Sequence, residues 1–216
     1  MSEFEGSKVY YYSNIDNSPI CGRGEPLRLL LNDAGIKFEY IRLTFSEWPS
    51  IKQKLIEDGC RIPTLPYLVT KSGKIYGATA PLLRLISKKL NKYIPKNAED
   101  EYLADAYSDI YLDWMNKWVN VFISKDPKAT NDYETTYRDN QQTNWENILS
   151  DKGGPYIFGG EISYTDLLLY HQLNNDNGAK VDASKYPRLT EFVKTIQNRP
   201  SLKEHFENEK KEKSEI

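Results

Sequence analysis

Three consecutive tyrosines and one cysteine are the residues whose type and position first suggest chemistry. Tyr10, Tyr11 and Tyr12 end an aromatic and β-branched run that predicts a strand, and each phenol can donate and accept a hydrogen bond. Cys21 lies just before the predicted start of a helix, where the helix dipole lowers the pKa of a thiol. The alternative reading of the tyrosines is ordinary aromatic packing in a sheet, where a register slip of one residue would exchange their faces.

The other cysteine and the two histidines have no spacing typical of a metal site. Cys21 and Cys60 are too few for a disulfide framework or a four-thiolate zinc site. His171 and His205 are 34 positions apart and form no short-spaced pair. We therefore expect no metal, and we interpret Cys60 as a packed thiol.

The first 90 residues alternate strand and helix patterns. The strand of the tyrosines is followed by a helix with apolar residues at helical spacing, and then by a second strand in which Ile36, Phe38 and Tyr40 alternate with charged residues. A hairpin follows over residues 61–76, and Thr79 then opens a helix. The predicted order β-α-β-α-β-β-α is thioredoxin-like.

The rest of the chain lacks strand signals. We predict long helices over Tyr102–Ile123 and Tyr133–Leu149, and a buried apolar helix after the capping box that runs from Ser163 to Asp166. The predicted fold class is therefore α/β plus all-α. Its boundaries are 1–90 for the thioredoxin-like domain, 91–99 for a linker, 100–208 for a helical domain, and 209–216 for a frayed, charged tail.

Composition excludes several classes of protein. The 216 residues carry 29 basic and 31 acidic side chains, a formal net charge of −2, so the chain lacks the basic surplus that often marks a nucleic-acid binder. It contains no apolar run of about 18 residues, and its first residues are polar, unlike a signal peptide. We expect no nucleic-acid partner, no membrane span and a cytoplasmic location.

Several motifs together resemble the glutathione transferases of the tyrosine type, most closely the sigma class and the related mu, pi and alpha classes. The resemblance covers roughly residues 8–206 and rests on the joint order of these segments: Gly22-Arg23-Gly24-Glu25-Pro26-Leu27-Arg28-Leu29-Leu30; Trp48 and Lys54, then Ile62-Pro63; Gly153-Gly154, Gly159-Gly160 and Ser163-Tyr164-Thr165-Asp166; Tyr186-Pro187-Arg188-Leu189; and Arg199-Pro200-Ser201-Leu202.

The resemblance implies a catalytic tyrosine at the end of the first strand. Its alignment puts Tyr11 on the residue that stabilises the glutathione thiolate, with Tyr10 and Tyr12 as alternatives. A free thiol with a pKa of about 8.5 is only a few per cent ionised at pH 7, so such a donor accelerates attack on an electrophile. The segment from Asn14 to Ile20 lengthens the following loop, and it is either part of the electrophile pocket or a surface insertion.

The resemblance also implies the contacts of glutathione. Arg23 would approach its thiol or its glycyl end, and Trp48 and Lys54 would hold its glycine carboxylate. Ile62 would pair with the cysteinyl backbone because Pro63 would be the cis proline before the third strand, although Pro66 lies close by.

A further contact is expected at the third helix. Thr79 would bind the γ-glutamyl carboxylate at the start of that helix. Ala78 stands where the family has glutamine, so one side-chain donor is absent.

The helical domain would complete the site. Asp113 matches the residue that reaches across a homodimer to the glutathione amino group, and Val119 and Ile123 would line the pocket for a hydrophobic electrophile. The resemblance thus implies glutathione as substrate, hydrophobic electrophiles as co-substrates and a homodimer. Isomerase or peroxidase chemistry with the same thiolate is equally compatible.

Two other functions stay open at the level of sequence. Cys21 lies seven residues before Arg28, the spacing of the active cysteine in omega-like thiol transferases and dehydroascorbate reductases, although no proline follows it. Alternatively, the long loop and Ala78 would mark a non-catalytic protein of this fold that carries a ligand or has a structural role.

Overall fold

The computed structural model describes residues 2–15, 18–19, 22–177 and 180–214. They form two compact units. The first comprises the residues up to Asn91 together with the segment from Arg199 onward, and the second comprises Lys92–Asn198. This grouping differs from the sequence-based boundaries, which assigned residues 199–208 to the helical domain.

The first unit is built on a mixed sheet. Its strands are β1 Ser7–Tyr12, β4 Phe38–Leu43, β5 Tyr67–Val69 and β6 Ile75–Gly77, in the order β4-β1-β5-β6, while β2 Asn14–Ile15 and β3 Ser18–Pro19 form a separate short pair. β4 runs parallel to β1, whereas β5 and β6 are antiparallel to their neighbours.

Three helices complete the thioredoxin-like part: α1 Glu25–Asp33, α2 Trp48–Glu57 and α3 Ala80–Leu90, with a 3-10 turn over Gly22–Gly24 before α1. Leucines at positions 27, 30 and 31 of α1 are fully buried, as its apolar spacing predicts. The β-α-β-α-β-β-α order is therefore confirmed.

The second unit is helical. It contains α4 Ala98–Ser124, α5 Pro127–Asp132, a π-helical turn Tyr133–Tyr137, α6 Arg138–Asp151, α7 Tyr164–Asn177 and α8 Pro187–Gln197. The capping box is confirmed, because the Ser163 amide donates to Asp166 Oδ2 at 2.7 Å. Leu167, Leu168 and Leu169 are fully buried, so α7 is an interior helix. Within the described ranges, no helix has the length and hydropathy needed to cross a membrane.

The C-terminal tail is more ordered than the charge run suggested. A 3-10 turn over Pro200–Leu202 leads into α9 Lys203–Ser214. His205 and Glu209, one helical turn apart, are buried. The prediction of a frayed, solvated end from residue 209 is wrong up to Ser214. α9 is a regular helix within the first unit, and His205 on its buried face contacts Glu25 of α1.

Candidate active site

Tyr11 is the second-to-last residue of strand β1, and its hydroxyl accepts a hydrogen bond from the backbone that precedes α1. The ring is 8% exposed, and the Arg23 amide donates a hydrogen bond to the phenol oxygen at 2.8 Å. Because the oxygen accepts this bond, the phenol keeps its own proton to donate to a further group. An accepted bond also polarises the O–H and strengthens it as a donor.

Gly24 makes this arrangement sterically feasible. A Cβ atom at position 24 would lie 2.7 Å from Tyr11 Cγ and 3.0 Å from the Tyr40 hydroxyl. Only glycine lets the 3-10 turn approach the ring closely enough for the Arg23 amide to reach the phenol oxygen.

The neighbouring tyrosines have different partners. Tyr10 stacks on Tyr67 with ring centroids 4.4 Å apart, and Tyr12 stacks on Phe45 at 4.2 Å. Burial raises the pKa of Tyr12, which makes that phenol a poorer acid. Because side chains alternate along β1, Tyr11, which accepts from the Arg23 amide, points to the opposite face from Tyr10 and Tyr12.

Trp48 and Lys54 lie on α2. Trp48 begins the helix, and its ring centroid is 6.2 Å from that of Tyr67. Lys54 is exposed, and six residues of regular helix rotate it about 120° away from Trp48. The structure therefore places the two predicted donors on different faces of the helix rather than side by side.

The prediction for Pro63 is wrong. The cis peptide bond is Leu65–Pro66, and strand β5 begins at Tyr67, so the proline directly before the strand is Pro66. Ile62 is 53% exposed, and its carbonyl accepts from the Thr64 amide at 2.9 Å in a tight turn. Ile62 therefore does not precede the cis proline in front of β5, which was the basis of its predicted contact with the cysteinyl backbone.

Thr79 precedes α3 as predicted, but its hydroxyl does not cap the helix. It donates to the Arg23 carbonyl at 3.2 Å, so α3 is joined to the turn that carries the Tyr11 donor. The preceding Ala78 has a φ of +68°, a conformation that costs a residue with a Cβ about 1–2 kcal/mol. Backbone strain of this kind is common at ligand sites. The N-terminus of a helix such as α3 also favours bound anions, because its backbone N–H groups point toward them.

The remaining candidates lie on α4 in the second unit. Asp113 is exposed, Val119 is partly exposed, and Ile123 is 65% exposed. Trp118 stacks on Phe122 at 5.0 Å, and Phe122 is itself 40% exposed. The C-terminal half of α4 therefore presents an apolar surface, which suits a hydrophobic ligand. Cys21 lies outside the described residues, and Cys60 is partly exposed.

Sequence reasoning missed a buried polar cluster next to Tyr11. Glu25, Arg28 and His205 are each less than a tenth exposed, and Arg28 lies over the Tyr40 ring at 4.5 Å. Burial strongly raises the pKa of Tyr40, so this phenol stays neutral. Glu25 and Arg28 lie within the Gly22–Leu30 motif, but no local sequence pattern links them to His205.

Comparisons with known proteins agree with this architecture. Residues 112–209 match the family model described as Glutathione S-transferase, C-terminal domain. Glutathione S-transferase P 10 of Caenorhabditis elegans is 28% identical over an alignment of 211 residues that covers 95% of this chain and 93% of that protein.

Solved structures give the same result. The Pi-class glutathione S-transferase of Onchocerca volvulus aligns with a TM-score of 0.78 at 25% identity, over 94% of this chain and 93% of that one. The Fasciola hepatica sigma class enzyme aligns with a TM-score of 0.76 at 24% identity, over 94% and 96% of the two chains. The fold and these matches together show that the chain is similar to the glutathione S-transferases over most of its length, with a pi-class and a sigma-class enzyme among the solved structures that share its fold.

Proposed function

We propose that this protein is a glutathione S-transferase that ionises the glutathione thiol with the Tyr11 phenol and transfers the sulfur to hydrophobic electrophiles. The observation that carries the proposal is the hydrogen bond from the Arg23 amide to the Tyr11 oxygen, at 2.8 Å. It fixes the position of the phenol oxygen without using the phenol O–H, which is itself a hydrogen-bond donor. A thiolate sulfur is the acceptor whose chemistry fits the family.

The energetics are sufficient for catalysis. A hydrogen bond to a charged group contributes about 1.5–3 kcal/mol, and each pKa unit corresponds to about 1.36 kcal/mol. One donor aimed at the sulfur therefore lowers the thiol pKa by about one to two units. In the reaction, the thiol proton leaves to solvent, the thiolate forms a bond to the electrophilic carbon, and the leaving group departs with its electron pair.

Glutathione would lie along the first unit from Tyr11 to α3. The backbone of Leu65 replaces Ile62 as our candidate for the cysteinyl contact, because Leu65 directly precedes Pro66 and strand β5. The start of α3 after Thr79 would take the γ-glutamyl carboxylate, and the indole N–H of Trp48 would take the glycine carboxylate. Arg23 and Lys54 remain weaker candidates for contacts through their side chains.

The second unit would supply the pocket for the electrophile and a contact between subunits. The exposed apolar surface near Val119 and Ile123 suits a hydrophobic co-substrate. Asp113 is exposed, and in a homodimer its carboxylate would contact the amino group of the glutathione bound to the other subunit. A solved relative from Necator americanus is described as monomeric, so sedimentation of this chain decides the oligomeric state.

The test is glutathione conjugation to an aryl halide by the wild-type protein and by the variants Tyr11→Phe, Tyr10→Phe and Cys21→Ser. We expect Tyr11→Phe to reduce kcat/KM tenfold to a hundredfold and the two control variants to keep most of the activity. Loss of activity in Cys21→Ser alone would instead support a thiol transferase. Glutathione binding without turnover of any electrophile in the wild-type protein would support the non-catalytic alternative.

A further inference from the structure

The C-terminal segment of the first unit contacts both ends of helix α1. At the last residue of the helix, Asp33, the Arg199 guanidinium donates two hydrogen bonds of 2.6 Å to the two carboxylate oxygens. At the first residue of the helix, Glu25, the His205 Nε2 atom lies 2.6 Å from Oε1. The segment 199–205 therefore holds α1 at its two termini.

The contact at the first residue is buried and its polar atoms are paired. The side chains of Glu25 and His205 are each 2% exposed, and Glu25 Oε2 accepts from Arg28 at 3.0 Å. His205 Nδ1 faces the Asn32 amide nitrogen at 3.2 Å, which is a donor. Nδ1 is therefore the acceptor, and Nε2 carries the proton that is donated to Glu25.

This end of α1 is continuous with the backbone that holds Tyr11. Glu25 directly follows Gly24, and the amide of Arg23, one residue earlier, donates to the Tyr11 oxygen. Gly24 is packed so closely that a Cβ there would lie 2.7 Å from Tyr11 Cγ. Close packing of this kind transmits small displacements, so the position of Glu25 bears on that of the Arg23 amide two residues earlier.

The two ends of α1 differ in this respect. Asp33 lies eight residues after Glu25, so about two turns of helix separate it from the Tyr11 donor. The contact of Arg199 with Asp33 therefore holds the segment at the end of α1 that lies away from the Tyr11 donor.

We propose that His205 is a positioning residue for the thiolate chemistry, acting through Glu25 on the Arg23 amide and hence on the Tyr11 phenol. This inference rests on the proposed role of Tyr11. His205 touches neither glutathione nor the electrophile in this account. Through Glu25 it sets the position of the Arg23 amide, which orients the Tyr11 phenol. Because the phenol stabilises the thiolate, the position of Glu25 affects the pKa of the bound thiol.

Two polar substitutions separate this role from general stabilisation. His205→Gln keeps an amide donor at the place of Nε2 and retains the bond to Glu25. His205→Asn keeps a polar group near Asn32 but is too short to reach Glu25. The matched control is Arg199→Gln, which removes the paired contact at the other end of the same helix. Thermal unfolding identifies the folded variants.

Two quantities are measured. The first is the thiol pKa of bound glutathione, obtained from the ultraviolet absorbance of the thiolate as a function of pH. The second is the affinity for S-methylglutathione, which has no ionisable thiol. We expect His205→Asn to raise the thiol pKa by about one unit, a tenfold loss of thiolate at neutral pH. The affinity for S-methylglutathione should change by less than about twofold, and His205→Gln and Arg199→Gln should keep the wild-type thiol pKa.

Three results would overturn the inference: an unchanged thiol pKa in His205→Asn, an equal rise in Arg199→Gln, or a rise in His205→Gln as large as in His205→Asn. The same spectra distinguish failure of the function itself. If the wild-type protein binds glutathione without lowering its thiol pKa, the role of Tyr11 fails and the positioning role fails with it. If the wild type lowers the thiol pKa and His205→Asn does not change it, only the positioning role fails.

Discussion

Substitution of Asp166 by alanine should destabilise the protein more than any change at an exposed capping residue. The Asp166 side chain is fully buried. Its Oδ1 accepts from the Ile157 amide at 2.8 Å. Its Oδ2 accepts from the Ser163 amide at 2.7 Å and from the Ser163 hydroxyl at 2.6 Å. One carboxylate thus satisfies two backbone donors of a buried loop and helix start.

The magnitude follows from the groups that lose their partner. Each buried donor left unsatisfied costs about 1–3 kcal/mol, and Asp166→Ala leaves both amides without an acceptor. We therefore expect the free energy of unfolding to fall by roughly 2–6 kcal/mol, a large share of the 5–15 kcal/mol typical of a folded protein. The hydroxyl of Ser163 can rotate to another acceptor, so we add no further loss for it.

Urea unfolding followed by circular dichroism measures this change. The matched control is Asp182→Ala, because the Asp182 carboxylate also accepts from the amide and hydroxyl of a following serine, Ser184, but at an exposed position. The control should change the unfolding midpoint far less. Equal effects of the two substitutions would refute the reasoning, since burial would then not set the cost.

The same residue predicts a dependence on pH. Burial raises the pKa of Asp166 from 3.8 to about 6. Between these values the folded state binds more protons than the unfolded state, so this group's contribution to stability declines as pH rises from about 4 to 6. Asp166→Asn should remove that part of the pH dependence, and an unchanged slope of stability against pH in the variant would contradict the assignment.

Three further substitutions test the site. Gly24→Ala would place a Cβ 2.7 Å from Tyr11 Cγ, so we expect a loss of about 1–3 kcal/mol in unfolding free energy and at least a tenfold lower kcat/KM; a fully active, stable variant would contradict the close packing. Trp48→Phe removes the indole donor, and calorimetry should show about fivefold weaker glutathione binding, whereas unchanged affinity would exclude the contact. Ile123→Glu should raise KM for an apolar electrophile without changing glutathione affinity. The control Tyr102→Glu, at another exposed position of α4, should leave both constants unchanged. Similar effects of the two substitutions would show that Ile123 does not line the electrophile pocket.

Local signals explain what the sequence could predict. The capping box at Ser163 and Asp166 concerns residues three positions apart, and the apolar spacing of α1 and α7 is readable within one helix. Elements specified by neighbours in sequence, including the βαβαββα order, were therefore accessible without coordinates.

The prolines show where local signals stop. Pro63 and Pro66 are three residues apart, and the resemblance matched the first of them to the proline before the third strand. Only the pairing of Tyr67 with Tyr10 and Gly77 fixes where β5 begins. Strand ends depend on partners far along the chain, so the spacing of a motif could not choose between the two prolines.

The C-terminal segment shows the same limit at larger distance. His205 and Glu25 are 180 residues apart in sequence, and the charges that follow His205 resemble a solvated tail. Their contact buries an imidazole and a carboxylate that composition alone assigns to the surface. Such a pair is recognisable only when the fold brings α9 against α1.

The central claim, that Tyr11 ionises bound glutathione, is tested most directly by ultraviolet titration of the thiol in the binary complex. In the wild-type protein we predict a thiol pKa at least one unit below the free value of about 8.5, and in Tyr11→Phe a return to within about half a unit of that value. A thiol pKa that is lowered equally in the wild type and in Tyr11→Phe would contradict the account.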